Sequence, residues 1–280
     1  MAVFLQILKS VIFGIVEGIT EWLPISSTGH LILLNAIMPL TNNLDFWSMY
    51  KYVIQLGAIL AVIVLYWHKL WPFSKKKDAR EKKIIFHTWF KIFMASIPTA
   101  LIGIMLNDFA DKHLSTPTVV AIMLVVYGIL FIVLEMYPRK ASIRSIQSLD
   151  NMTAIKIGLF QALAVVPGTS RSGATILGAL TLSLSRGMAA EFSFFLAVPV
   201  MFGISLLELI KHAAAISVVE FIVLAVGMIV SFIVSILVIR SLMHYIRRHD
   251  FRVFGIYRII LGILIFVLSL MHVLPNGISA

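Results

Sequence analysis

Long apolar segments dominate this chain and set its fold class. Six of them approach the roughly 20 residues that an α-helix needs to cross a lipid bilayer. These segments are residues 46–67, 86–106, 116–137, 189–210, 218–239 and 253–274. The pattern predicts an all-α polytopic membrane protein with six spanning helices.

Two further apolar regions, residues 3–40 and 152–184, are interrupted in their middle by proline, glycine and hydroxyl-bearing residues. We expect each half of such a region to be too short to cross the bilayer. Irregular backbone at membrane depth is tolerated where it packs in protein or faces a water-filled cavity. The sequence therefore predicts two re-entrant helix pairs in addition to the six spanning helices.

The positively charged residues lie in short loops and predict the orientation of the helices. Cytoplasmic loops of membrane proteins carry an excess of Lys and Arg. The three strongly basic loops, at residues 69–83, 139–144 and 247–252, fall on one side when the spans are counted, and the connections at 108–113 and 211–216 fall on the other. The two re-entrant pairs then enter from opposite sides, which is typical of an inverted repeat.

A weak internal similarity coincides with the two broken regions and supports the repeat. A shift of 144 residues aligns glycines, hydroxyl-bearing residues and a Glu/Gln pair of the first region with the second. The aligned pairs are Gly14 with Gly158, Glu17 with Gln161, Ser26 with Ser170, Thr28 with Ser172, Gly29 with Gly173, Ile32 with Ile176, and Leu33 with Leu177. We expect a single membrane domain, residues 1–280, with halves of about 1–137 and 150–274 whose loops meet near the membrane midplane.

The composition agrees with this class and narrows the partners. The chain is 60% hydrophobic and only 13% charged, with a mean hydropathy of +1.00, which excludes a soluble globular domain. Its net charge of +10 sits in loops that face anionic lipid, so no nucleic acid partner is expected. The absence of cysteine excludes disulfides and thiolate chemistry. The first ten residues lack a basic start and a small-residue cleavage site, so we expect them in the mature protein.

The first polar island, EGITEWLPISSTGH, occupies residues 17–30. Ionisable groups at membrane depth are costly and are therefore candidate functional groups. Glu17 and Glu21 are four residues apart and share one helix face. Paired carboxylates suit a hard divalent cation such as Mg²⁺, or they could orient a histidine. The alternative is that both carboxylates face solvent at a helix end.

A chain break and a new helix start are predicted within the same island. Ser26, Ser27 and Thr28 follow Pro24, and Ser26 or Ser27 would cap the new helix. His30 lies one helical turn further on and could reach a hydroxyl as a general base or acid. The alternative is that the hydroxyls serve only as caps and that His30 is structural.

The second polar island, PGTSRSG, occupies residues 167–173 and resembles an anion-binding nest. Gly168 and Gly173 permit close approach of the backbone, and amides at a helix start favour anions. Arg171 adds a planar fork of donors suited to phosphate oxygens. The alternatives are that Arg171 extends to the membrane interface or pairs with Glu17 or Glu21. The predicted phosphate-binding residues are Ser26, Thr28, Gly168, Thr169, Ser170, Ser172 and Gly173.

These two motifs resemble the signature motifs of the bacterial undecaprenyl-diphosphate phosphatases, also known as the bacitracin resistance protein family. The chain length, the sequence QLGA at residues 55–58 and the stretch 185–194 fit the same family. The resemblance implies a multi-pass plasma-membrane enzyme that removes the terminal phosphate of undecaprenyl diphosphate at the extracytoplasmic face. It also implies a divalent cation, magnesium or calcium, and a product that carries cell-wall precursors. The functional residues implied by motif position are Glu17, Glu21, Ser26, Ser27, Thr28, His30 and Arg171.

Our mechanistic hypothesis is in-line attack by Ser27 on the terminal phosphorus, with His30 as base and then acid. Direct attack by activated water is the alternative. Arg171, the helix-start amides and a cation held by Glu17 and Glu21 would stabilise charge on the phosphoryl oxygens. The expected partners are a polyprenyl diphosphate lipid and membrane lipids, and both a monomer and a homodimer remain open.

Two other classes of function are compatible with parts of the pattern. A polyprenyl-phosphate flippase or secondary transporter would also use an inverted repeat with anion-binding half-helices. An ion channel or structural membrane protein would leave the clustered Glu, His and Arg side chains unexplained. A nucleophile paired with a base distinguishes the phosphatase from both, because transport and conduction need no such pair.

Overall fold

The computed structural model describes residues 2–212 and 216–274, and their regular structure is helical apart from one isolated β-bridge between Ile143 and Leu184. The helices are α1 (Ala2–Thr20), α2 (Ser27–Ile37), α3 (Leu44–Val53), α4 (Gln55–Leu65), α5 (Trp67–Leu70), α6 (Ala79–His113), α7 (Pro117–Met136), α8 (Asn151–Ala162), α9 (Arg171–Thr181), α10 (Arg186–His212), α11 (Val218–Tyr245) and α12 (Arg252–Leu270). A 3₁₀ turn, Leu163–Val165, follows α8. The prediction of an all-α protein is confirmed for this part of the chain.

Seven segments of the described chain are long and apolar enough to cross a membrane. They are Val3–Thr20, Leu44–Leu65, Ala79–Leu106, Pro117–Met136, Arg186–His212, Val218–Tyr245 and Arg252–Leu270. The last six correspond to the six predicted spans. The first was expected to be too short, and that expectation was wrong. The helix α1 runs through Gly14 and Gly18 without interruption and ends only at Thr20.

The connections differ in detail from the predicted loops. The basic loop after α5 is partly helical, because α6 already begins at Ala79 behind an Asp78–Glu81 capping box. The predicted connection at 108–113 forms the last turns of α6. Of the connection at 211–216, residues 213–215 lie outside the described part of the chain.

The two broken regions share one local geometry. Ser26 caps α2 with a φ of 74°, and its side chain accepts the N–H of Gly29. Ser170 caps α9 with a φ of 70°, and its side chain accepts the N–H of Gly173. Both helices contain 11 residues. Positive φ is uncommon for serine, so its occurrence at positions that the shift of 144 residues aligns supports the predicted repeat.

The long helices pack in a reciprocal way across the two halves. The helix α1 of the first half packs along α11 of the second, whereas α8 of the second half packs along α6 of the first. Gly14 faces the carbonyl of Gly227 and Gly158 faces the carbonyl of Ala95, so closely that a Cβ at either glycine would collide with that oxygen. This exchange of helices supports an inverted repeat, while the direction in which each half enters the membrane stays a prediction.

Candidate active site

Three chain segments meet at the carboxylate of Glu21, which lies just beyond the end of α1. Ser27, the first residue of α2, donates from Oγ to Glu21 Oε2 at 2.6 Å. Arg171, the first residue of α9, donates from Nη2 and Nε to Glu21 Oε1 at 2.8 and 3.3 Å. The starts of both short helices therefore converge on one buried carboxylate. We call Ser27, Glu21 and Arg171 the junction.

Further contacts fix the guanidinium of Arg171 in place. Its Nη1 donates to the backbone carbonyl of Ser193 in α10 at 2.9 Å. The group also lies over the indole ring of Trp22, 5.6 Å from the ring centroid, where a cation–π attraction stabilises it. The side chain of Arg171 is 12% exposed. The structure thus bears out pairing of Arg171 with Glu21 rather than extension to the membrane interface.

Four of the predicted phosphate-binding residues organise the turns before α2 and α9. We call these turns, residues 21–26 and 166–170, the two loops. The hydroxyls of Ser26 and Ser170 cap α2 and α9, and the amide of Gly173 donates to the second of these caps. Ser172 Oγ lies 3.2 Å from Ser170 Oγ and also donates to the carbonyl of Leu23 at 3.2 Å. This last contact joins the second loop directly to the first.

The other three predicted phosphate-binding residues differ in their surroundings. Thr28 is exposed in the first turn of α2. Thr169 is buried, and its Oγ1 has no hydrogen-bond partner among the described residues. Gly168 has a φ of +89°, and a Cβ there would lie 2.6 Å from the carbonyl oxygen of Val120. Position 168 therefore requires glycine, both for its backbone conformation and for the close approach of α7.

Glu17 lies one helical turn before Glu21, as predicted. The backbone amide of Glu21 donates to the carbonyl of Glu17 at 3.0 Å, which is the hydrogen bond of one helical turn. Its side chain is completely buried, and neither carboxylate oxygen has a hydrogen-bond partner within the described residues. An unpartnered buried carboxylate is costly. A bound proton or a cation would compensate it.

The donor chemistry of Glu17 and Glu21 fits a divalent cation. Mg²⁺ is usually bound by one or two carboxylates together with water and substrate phosphates. The described residues contain no group of three or more His, Cys, Asp or Glu side chains that could hold a metal ion by themselves. A cation here would therefore be held by Glu17 and Glu21 and would need further oxygens from water or phosphate.

His30 makes no hydrogen bond with Ser27 in this structure, so the expected pair of these two residues is not formed here. The imidazole Nδ1 lies 2.7 Å from the carbonyl oxygen of Ser26, and Nε2 lies 2.7 Å from the hydroxyl of Tyr257. A carbonyl only accepts, so Nδ1 carries a proton, and in the neutral imidazole Nε2 then accepts from the hydroxyl of Tyr257. Ser27 instead points back towards α1, where Glu21 takes its hydrogen bond.

Sequence reasoning missed two residues of α12 that contact the two polar islands, residues 17–30 and 167–173. Tyr257 holds His30, and nothing in the sequence pattern singled it out. Arg258 is completely buried and donates to backbone carbonyls in both loops. A signal for Arg258 existed, because an arginine within an apolar span is itself a candidate functional residue.

Comparisons with known proteins agree on one family. The sequence model of the family described as "Bacitracin resistance protein BacA" matches residues 10–264. The chain is 50% identical over 270 residues to the undecaprenyl-diphosphatase of Enterococcus faecalis, covering 95% of this chain and 98% of the relative. It is 52% identical over 266 residues to the protein of the same name from Latilactobacillus sakei subsp. sakei, covering 93% and 97%. With a family match that spans both polar islands and relatives that align over nearly their whole length, the chain belongs to the bacitracin resistance protein BacA family.

Proposed function

We propose that this protein is a membrane undecaprenyl-diphosphatase. It hydrolyses the terminal phosphoanhydride bond of undecaprenyl diphosphate and releases undecaprenyl phosphate and inorganic phosphate, which recycles the lipid carrier of cell-wall precursors. Relatives of about half identity over nearly the whole chain carry this name. The observation that carries the proposal is the junction, which combines a hydroxyl nucleophile, a carboxylate base and a phosphate-binding guanidinium.

The first chemical step follows from the 2.6 Å hydrogen bond that Ser27 Oγ donates to Glu21. Glu21 accepts the hydroxyl proton while Ser27 Oγ attacks the terminal phosphorus. The bond between that phosphorus and the bridging oxygen breaks, and undecaprenyl phosphate leaves. Glu21 passes this proton to the departing undecaprenyl phosphate and then accepts a proton from the water that attacks the phosphoserine. It returns that proton to Ser27 Oγ as the P–Oγ bond breaks and phosphate is released. In the alternative mechanism, Glu21 activates water directly and Ser27 only binds. Glu21 thus takes the role of base that was expected for His30.

Arg171 and the two helix starts supply the positive environment that a transferring phosphoryl group needs. The amides at the starts of α2 and α9 and the macrodipoles of these helices favour anions. Without substrate, Arg171 forms an ion pair with Glu21. A bound phosphate would accept some of the hydrogen bonds that the guanidinium donates. A divalent cation held by Glu17 and Glu21 would supply additional neutralisation of phosphoryl charge when bound.

The proposed location is the plasma membrane, with the junction open to the extracytoplasmic side. Seven candidate spanning segments support a multi-pass protein, and the basic loops support the orientation. Exposed apolar side chains on the outer face of α12, such as Ile256, Ile260 and Ile263, offer a surface for lipid, so the polyprenyl tail needs no internal pocket. Each chain carries a complete junction, which suits a monomer as well as a homodimer.

The test is phosphate release by the purified protein in detergent from undecaprenyl diphosphate. Wild type should release phosphate, and Ser27→Ala should not. Ser205→Ala is the matched control, because Ser205 is also buried but donates to the carbonyl of Tyr52 far from the junction. Absence of release by wild type would contradict the proposal and favour a transporter, which liposomes with labelled lipid would reveal.

The same variants separate the two mechanisms. Acid-quenched digestion and mass spectrometry of the peptide containing Ser27 should detect a phosphoserine if attack is covalent. Substantial residual turnover in Ser27→Ala, together with no trapped phosphoserine, would end the covalent mechanism and leave activated water as the nucleophile.

A further inference from the structure

A buried arginine in α12 is not used by the reaction steps given above. The side chain of Arg258 is completely buried. None of the salt bridges among the described residues includes it. A buried charge without a carboxylate partner is costly unless its donors are hydrogen-bonded, so the groups that satisfy Arg258 indicate why it is there.

The acceptors of Arg258 are backbone carbonyls from both loops at the junction. Its Nη1 donates to the carbonyl of Pro24 at 3.1 Å, in the turn before α2. Its Nη2 donates to the carbonyls of Gly168 and Thr169 at 2.8 and 2.9 Å, in the turn before α9. A single guanidinium therefore connects the two turns that immediately precede the two converging helix starts.

Contacts with α7 anchor the guanidinium from its other side. Nη2 and Nε approach the carbonyls of Met123 and Leu124 at 3.4 and 3.5 Å. The guanidinium carbon lies 5.4 Å from the ring centroid of Tyr127. The long α7–α12 pair thus holds Arg258 in place, and Arg258 holds the two loops.

Arginine suits this position for geometric reasons. It presents five N–H donors in a rigid plane, whereas the ammonium of lysine is a compact point charge with three donors. A lysine at position 258 would therefore keep the charge but lose the simultaneous contacts with both loops. The acceptors are backbone carbonyls rather than a carboxylate, so no negatively charged group neutralises the guanidinium. Its positive charge therefore adds to that of the two helix starts, which favour anions.

We propose that Arg258 is a positioning residue that holds the two loops together, so that Ser27 and Arg171 meet at Glu21 and form the diphosphate-binding site. Arg258 does not touch the substrate in this arrangement. The inference rests on the proposed function only in taking the junction as a site for a diphosphate. Its test therefore includes a binding measurement that needs no turnover.

The binding probe is farnesyl methylenediphosphonate, in which a P–CH₂–P unit replaces the hydrolysable bridge. Its affinity is measured for wild type, Arg258→Lys and Arg258→Met. The matched control is Glu135→Gln at the other end of the α7–α12 pair. Glu135 is also buried and charged, and it accepts from Arg186 and from the amide of Phe251. We expect both Arg258 variants to bind at least about tenfold more weakly than wild type and the control to stay within about threefold.

Turnover and unfolding of the same proteins complete the test. We expect kcat of both Arg258 variants to fall at least about tenfold, with no rescue by lysine. The unfolding midpoint of each variant is measured to confirm that the protein used in the binding and turnover assays is folded. Wild-type affinity in either variant, or full recovery with lysine, would overturn the proposal. Failure of both variants to fold while Glu135→Gln folds would assign Arg258 a purely structural role and also overturn it.

The two proposals fail in different ways. If wild type binds the diphosphonate in an Arg258-dependent manner but releases no phosphate, the positioning role stands and the phosphatase activity does not. If wild type releases phosphate and the Arg258 variants bind and turn over normally, the activity stands and the positioning role is wrong. If wild type neither binds nor hydrolyses, both are wrong.

Discussion

Replacement of Glu21 by glutamine is the most direct perturbation of the junction. The carboxylate accepts from both sides, with Oε2 facing the hydroxyl of Ser27 and Oε1 facing the guanidinium of Arg171. An amide of the same shape has one acceptor oxygen and one donor nitrogen. If the oxygen faces Arg171, the amide nitrogen faces Ser27 and no group accepts its proton. If the oxygen faces Ser27, the amide nitrogen opposes a guanidinium that can only donate.

The expected loss follows from the role of the lost group. General base catalysis contributes about 10²- to 10⁴-fold in rate, which corresponds to about 3–5 kcal/mol of transition-state stabilisation. We therefore expect kcat of Glu21→Gln to fall by at least about a hundredfold. Binding of substrate should change less, because the amide can still accept from Arg171 and the two helix starts remain.

The assay is steady-state phosphate release from undecaprenyl diphosphate at saturating substrate, with the folded fraction checked by unfolding. Glu135→Gln provides the comparison, because Glu135 is another buried carboxylate paired with an arginine, Arg186. It should retain near-normal kcat. If Glu21→Gln keeps more than about a third of the wild-type kcat, less than about 1 kcal/mol was lost, and Glu21 is not the base.

Three further outcomes are expected. Arg171→Lys keeps the charge but cannot hold all acceptors of the guanidinium, so turnover should fall at least about tenfold; full activity in a phosphate-release assay would mean that a point charge suffices. Tyr257→Phe removes the donor to His30 Nε2 and should alter the pH–rate profile without loss of folding, whereas an identical profile would separate this contact from catalysis. An impermeant reagent should label residues 75–83 only in permeabilised cells. In intact cells it should reach a tag placed after residue 280, which lies outside the described residues. The reverse labelling pattern would mean that the orientation is inverted.

Much of the architecture could be predicted because helix length and chain breaks are local properties. The six apolar segments were long enough to cross a membrane, and each corresponds to an observed candidate span. The breaks were visible because proline, glycine and serine cannot continue a helix in those combinations. A cap was predicted at Ser26 or Ser27 after Pro24, and the structure has it at Ser26. The length of α1 was underestimated, because a glycine within an apolar helix weakens it without ending it.

The contacts at the junction were less predictable because they depend on how separate segments meet. Helical spacing placed His30 one turn from Ser27, but it said nothing about the direction in which the turn before α2 leads. The structure turns Ser27 back towards Glu21. The contacts of Arg258 with both loops span long sequence separations. Only the fold brings such groups together, whereas the cost of a charge in an apolar span was readable from the sequence.

The predicted repeat would let one local backbone geometry serve two chemical roles. The shift of 144 residues aligns Ser27 with Arg171, and each is the first residue of an 11-residue helix behind a serine cap with positive φ. Under the proposed mechanism, two serines at these positions would leave the phosphoryl group without a guanidinium, and two arginines would leave it without a nucleophile. The two halves also differ where Glu17 aligns with Gln161, because the side-chain amide of Gln161 donates to Thr99. In the proposed mechanism the two helix starts favour the anion from two directions, and their differing first residues make the start of α2 the attacking side and the start of α9 the binding side.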